Sequence, residues 1–348
     1  MKPRDRQLAA IRHELTDRVA IDGILIENLA AIGRFLGVSE AQAYARLGID
    51  GRIVCPAYTG PDVPTPDGKS GGEWGTAASD DYGTTHVYPF SAASTVRDVD
   101  AHPWPDPSHY DFAAMIAWAK TLQQEYAVRG PYWKPIFCTT SSLMGMEDAM
   151  VAMIQGLPAF EAILERVADV NARFTGRFLN ACGDALDIYC LGDDFATQRG
   201  MMFSPTLWRR HFKPIYAKQF AMAHAAGKPV WFHSCGDITE VLPDLIDIGM
   251  NVWETVQLHT LPMPPEELKR RFGKYITFFG GVNTQNLPFA DVPAIREEVR
   301  RCIRVLGKNG GYICGPDHHI KHDIPADKTL AIFETAQQFR MAGYTKSS

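Results

Sequence analysis

From residue 185 to residue 341 the chain alternates on a regular beat between short apolar runs and amphipathic stretches. The runs fall at 185–191, 229–233, 251–256, 275–280 and 311–314, and helical patterning follows them at 205–226, 238–249, 264–271, 291–306 and 326–341. Apolar strands separated by helix-length segments cannot pair as hairpins; they cross over and lie parallel. Upstream, Lys134–Thr139 reads as another strand, followed by a helix pair at about 146–154 and 158–182, and Arg52-Ile-Val-Cys-Pro-Ala within 51–58 reads as the first strand. The count approaches eight, no strand is followed by a Rossmann glycine fingerprint, and 348 residues suit one closed sheet. The predicted fold is therefore α/β, a (β/α)8 TIM barrel.

Residues 1–50 are expected to be an N-terminal helical extension, with the barrel occupying 51–348. Segments Arg4–Val19 and Asp22–Leu47 carry helical spacing (Ile24, Leu25, Leu29, Ile32, Leu36) and show no strand signal. Residues 59–85 are rich in Gly, Pro, Asp, Ser and Thr, too long for a passive connection. A lid or pocket wall is expected there, with His86 at its end. Asp98–Pro107 reads as a turn, and 111–128 as a helix. A net charge of −5 gives no basic footprint for nucleic acid. No run approaches the roughly 18 apolar residues of a membrane span. Met1-Lys-Pro-Arg-Asp-Arg-Gln is not backed by an apolar stretch, so no secretory signal is expected. Seven cysteines, an odd number without framework spacing, point to a reduced, cytoplasmic protein.

Catalytic groups of such a barrel sit where its strands end, and every predicted strand here ends in polar residues. The ends read Gly192-Asp193-Asp194-Phe195, His233-Ser-Cys235, Glu254 with Gln257, Gly280-Gly-Val-Asn283-Thr-Gln285, and Cys314-Gly-Pro-Asp317-His318-His319. After His233 and Cys235, Gly236 turns the chain and Asp237 with Glu240 suggests a capping box. Zinc takes N and S donors in a tetrahedral shell. By residue type, His233, Cys235 and His318 satisfy it, with Glu254 or Cys314 as a variable member. Cys314 in its apolar run reads equally well as a small core residue. Of Asp193 and Asp194, adjacent on a strand, at most one can face the pocket; the functional reading is an acid/base group, the other a turn or helix cap. Arg199 is an anion contact or a surface arginine. Gln257, Asn283 and Gln285 are substrate contacts or satisfy loop backbone. Trp231 and Trp253 are packing residues.

Four blocks in this order resemble the uroporphyrinogen decarboxylase superfamily: Gly192-Asp-Asp-Phe-Ala-Thr-Gln-Arg-Gly-Met-Met-Phe-Ser-Pro205, Phe232-His-Ser-Cys-Gly236, Gly280-Gly-Val-Asn-Thr-Gln285 and Gly311-Tyr-Ile-Cys-Gly-Pro-Asp-His-His-Ile320. The resemblance spans roughly residues 90–342 and implies a (β/α)8 barrel. One branch of the superfamily is a cofactor-free decarboxylase; the other holds zinc methyltransferases that exchange methyl groups with a corrinoid protein. The arginine-rich motif of the decarboxylase is missing from Arg52-Ile-Val-Cys-Pro-Ala-Tyr-Thr-Gly, while His233 and Cys235 match the methyltransferases' His-x-Cys. In the similar cobalamin-independent methionine synthases the acidic ligand lies on the next strand, where Glu254 stands, and the last thiolate follows Pro-Asp, where this chain has His318. Either His318 replaces that thiolate or Cys314 reaches in. One thiolate fewer makes a bound metal more Lewis-acidic, which suits an O-methyl donor.

The resemblance thus implies Zn²⁺, a separate corrinoid (cobalamin) protein, a small-molecule methyl donor or acceptor, and a homodimer. With the residue readings above, Asp194 and His318 are the candidate catalytic groups, and Asp193, Arg199, Gln257, Asn283 and His86 the candidate substrate contacts. The alternative is a metal-free decarboxylase of a small carboxylic acid that uses Arg199 and His318.

Overall fold

The computed structural model describes residues 1–76 and 87–340. Eight parallel strands form one sheet: β1 Ala20–Ile21, β2 Gly51–Ile53, β3 Ala127–Pro131, β4 Ile188–Gly192, β5 Val230–His233, β6 Met250–Val256, β7 Thr277–Val282 and β8 Tyr312–Pro316. Its spatial order is β1-β8-β7-β6-β5-β4-β3-β2. The two edge strands meet: the Asp50 amide donates to the Ile21 carbonyl (2.8 Å), and the Ile21 amide donates to the Asp50 carboxylate (2.9 Å). That contact brings the sheet round into a (β/α)8 barrel, with helices between successive strands on its outside.

Two apolar layers follow from the period-two alternation of strand side chains. Ala20, Ala127, Ile188, Cys190, Trp231, Val252, Phe279 and Ile313 fill the interior together with Ala10. Their neighbours Val128, Tyr189, Leu191, Phe232, Trp253, Phe278 and Cys314 face outward into the layer beneath the helices. Trp231 is thus an interior residue and Trp253 an outer one.

Two local readings of the sequence are corrected. Residues 1–50 are not wholly helical: helix Pro3–Ile11 comes first and then supplies a floor to the barrel, but Ala20–Ile21 is a sheet strand paired with Ile313 and Cys314. Two residues are too short to leave a pattern. Lys134–Thr139 is not a strand; Phe137–Met144 is a helix, and the strand lies earlier, at Ala127–Pro131. That strand reads Ala-Val-Arg-Gly-Pro, with three residues that argue against a strand by propensity. Gly130 is required by close approach, since a Cβ there would lie 2.4 Å from the Val54 carbonyl oxygen.

After β2 the chain forms a short antiparallel ribbon, Ala57–Tyr58 with Tyr110–Asp111. The described part of the long loop is tied down through Glu73, which accepts from the Tyr110 hydroxyl and pairs with Lys134 at 3.5 Å. His86 lies outside the described residues.

Candidate functional site

The ends of β4, β5 and β6 assemble the site. On β5, Trp231 and His233 share the inward side, and the register places Glu254 of β6 directly beside His233. Gly192 at the end of β4 leaves room for it: a Cβ at 192 would sit 2.7 Å from His233 Cβ. His233 Nδ1–H points at Glu254 Oε1 (2.8 Å), so Nε2 is turned the other way, 3.5 Å from Cys235 Sγ and 3.6 Å from Asp194 Oδ1. One donor atom each from Asp194, His233 and Cys235 lies within 4.8 Å of the others. The Asp194 carboxylate is itself oriented by the Cys235 amide (2.8 Å). His318, arriving from the loop after β8, shares the cleft wall with Cys235 and acts electrostatically on its thiol.

Burial pushes the Cys235 thiol up, but the imidazoles of His233 and His318 outweigh it and hold the group below its ordinary range. Burial likewise opposes charge on His233, yet Cys235, Glu254 and Asp194 raise it well above the usual imidazole value. Glu254 is fully buried and still held low, by His233, Arg129 and the Trp231 N–H. His318 is raised by Cys235. An imidazole, a thiol biased to thiolate and a carboxylate converging on one point form a donor set that zinc favours.

Other residues singled out from the sequence land elsewhere. Glu254 is not among the converging donors; its oxygens are taken by His233 and by the Trp231 indole, and it acts on the imidazole from behind. Cys314 faces outward, one residue out of phase with inward-facing Ile313, and burial raises its thiol to about 12. Asp193 turns away from the mouth and is fully buried, accepting from the amides of Ile136, Phe137 and Cys138 and from the Tyr216 hydroxyl. Asp237 accepts from Thr239 rather than forming the box with Glu240. Arg199 occupies the exposed turn between Ala196–Thr197 and Gly200–Met201. Asn283 caps its own turn, accepting from Gln285 and Asn286.

A cleft of about 530 Å³ opens over the cluster; Cys235, Gln257, Thr284, Gln285, His318 and His319 are among its walls. Gln257 also accepts from the Gly236 amide (2.8 Å), which fixes the loop carrying Cys235. Trp133, with its ring 5.5 Å from that of His233, and Tyr132 flank the imidazole from β3. Both went unremarked in the sequence, because β3 itself was misplaced there.

Residues 84–339 match the profile of the family described as Uroporphyrinogen decarboxylase (URO-D). Among solved structures, a methyltransferase from Methanosarcina mazei superposes with a TM-score of 0.68 at 16% identity, covering 97% of this chain and 99% of that one. At that identity the likeness concerns the fold. Two xylanases of glycoside hydrolase family 10, one from Gloeophyllum trabeum and one psychrophilic, align at TM-scores of 0.38 and 0.39 and identities of 10% and 9%. They cover 66% and 68% of this chain and 82% and 84% of their own. Comparison with curated proteins finds no match.

Proposed function

Because this chain belongs to the uroporphyrinogen decarboxylase (URO-D) family, we propose that it is a zinc-dependent methyltransferase of that family. It moves a methyl group between a small methylated substrate and a corrinoid carried by a separate protein. The observation that carries this reading is the convergence of Asp194, His233 and Cys235 at the barrel mouth, with His318 beside Cys235 in the cleft wall.

Those four residues would hold the metal, which when bound supplies Lewis-acid polarisation of a substrate heteroatom. His233 can offer only Nε2, since Glu254 holds Nδ1. Cys235 is biased toward the thiolate that metal binding requires. His318 and Asp194 stand close enough to exchange a proton with a substrate oxygen if either is not engaged as a ligand. Gln257, Thr284 and Gln285 line the cleft with neutral hydrogen-bonding groups that orient a small polar substrate. The corrinoid protein approaches from the open side of the cleft.

Among the described lining residues there is one lysine, Lys321, which pairs with Glu27 at 2.9 Å, and no arginine. With imidazoles as the remaining basic groups to face a carboxylate, the lining favours the methyltransferase over decarboxylation of a carboxylic acid.

Elemental analysis of protein purified without chelator tests the reading. The expected result is about one zinc per chain in the wild type, lost in Cys235→Ala and weakened in His318→Ala. With zinc present, methylated oxygen compounds are then screened for methyl transfer to cob(I)alamin. A folded wild type without zinc would overturn the proposal.

A further inference from the structure

Below the mouth the barrel interior carries a set of charges that neither metal binding nor substrate contact uses. Arg129 of β3 is fully buried. Its guanidinium grips Asp22 with both Nη atoms, Nη2 at 3.1 Å from Oδ1, and lies 4.6 Å from the centroid of the Trp231 ring. Asp22 is held from the floor by the Gln7 side chain (2.6 Å) and the Gly23 amide (2.7 Å). Trp231 donates its indole N–H to Glu254 Oε2, and Glu254 Oε1 takes the His233 Nδ1–H.

We propose that Arg129 and Trp231, standing on Asp22, are positioning residues that hold Glu254, and through it His233, with Nε2 aimed at Cys235. The inference rests on the reading of His233 as a metal donor. Elsewhere the interior is filled by Ala, Ile, Val, Phe and Cys190. Apolar residues of similar volume usually stabilise a core at least as well as a buried ion pair, so stability alone does not account for a charged column along the barrel axis. Geometry does. A guanidinium fixed bidentately on Asp22 is a flat plate of fixed orientation. The indole lying against it cannot swing, and its N–H therefore presents at one point only. A carboxylate caught between that N–H and the imidazole cannot rotate, so the imidazole ring is fixed from behind. Partners of this kind commonly change metal affinity about 10–100-fold when removed.

The test measures Zn²⁺ affinity by competition with a chromophoric chelator, the thermal midpoint, and the His233 Nδ1–H proton by NMR. Trp231→Phe keeps an aromatic ring beside Arg129 and removes the indole N–H together with part of the ring, a loss of packing that the control below also imposes. It is expected to weaken zinc binding about 10-fold or more and to shift or broaden the Nδ1–H signal. Arg129→Met with Asp22→Asn removes both buried charges together and is expected to do the same. Ile313→Val, in the same interior but off this column, is the control: it lowers the midpoint and leaves affinity unchanged. Unchanged affinity and an unchanged proton signal in Trp231→Phe overturn the proposal, as does an equal loss of affinity in Ile313→Val. A wild type that binds no zinc sinks the metal reading instead. The proton signal then decides alone: lost in Trp231→Phe it supports the positioning role, unchanged it ends it.

Discussion

Asp193 and Asp194 are adjacent, chemically identical and used in opposite ways. Asp194 faces the mouth beside His233, while Asp193 holds the amides of Ile136, Phe137 and Cys138 at the head of helix Phe137–Met144. Removing the buried carboxylate would leave those donors and the Tyr216 hydroxyl without partners. Asp193→Ala is expected to cost about 3–5 kcal/mol, read from urea unfolding. Which aspartate does which was only half legible: alternation requires that they differ, but not which one points inward. His233 and Cys235 were legible because a strand end fixes where both side chains go. The choice between His318 and Cys314 was not, since it depends on the phase of β8, which its apolar run leaves open. Arg129 did not stand out as a buried interior residue, because a lone arginine beside Gly-Pro looks like the edge of a loop.

At the scale of elements, the five downstream strands and their helices could be read because each apolar run is long enough to show itself. Of the first three strands only β2 could, within the run 51–58. β1 has two residues, and β3 contains Arg, Gly and Pro, so tertiary contacts rather than propensity make them strands. The contact that makes β1 a strand on its open side is Asp50, fully buried, which accepts from Arg6, Arg18 and the Ile21 amide. Asp50→Ala would leave Arg18 with carbonyl partners only, take from Arg6 one of its two carboxylates, and unpin the seam. A loss of about 3–5 kcal/mol is expected, together with faster hydrogen exchange at the Ile21 amide than in β5 or β6. An unchanged exchange rate at Ile21 would show that the backbone bond from Asp50 closes the barrel unaided.

For the molecule as a whole, charge is segregated: apolar layers inside and outside the wall, titratable groups at the mouth and along the axis. Burial holds His13, His102, His211 and His319 below the ordinary imidazole value, His319 at about 4. Between the folded and unfolded values the unfolded chain binds more protons, so stability rises with pH there and is lost as pH falls. The thermal midpoint is expected to drop between about pH 6.5 and pH 4, and His319→Gln to flatten part of that slope in a calorimetric series. His233 and His318, raised instead, act on the other side, giving up stability as pH climbs past their folded values. The seam between β1 and β2 has a mechanical meaning as well. Seven of the eight lines along this cylinder are stitched by backbone ladders, and the eighth hangs largely on one carboxylate. Like a cask with one loose stave, the wall has a direction in which it tears. Tension around its girth would part β1 from β2 first, and the opposite arc, where Asp194, His233 and Cys235 meet, would be the last to lose its shape.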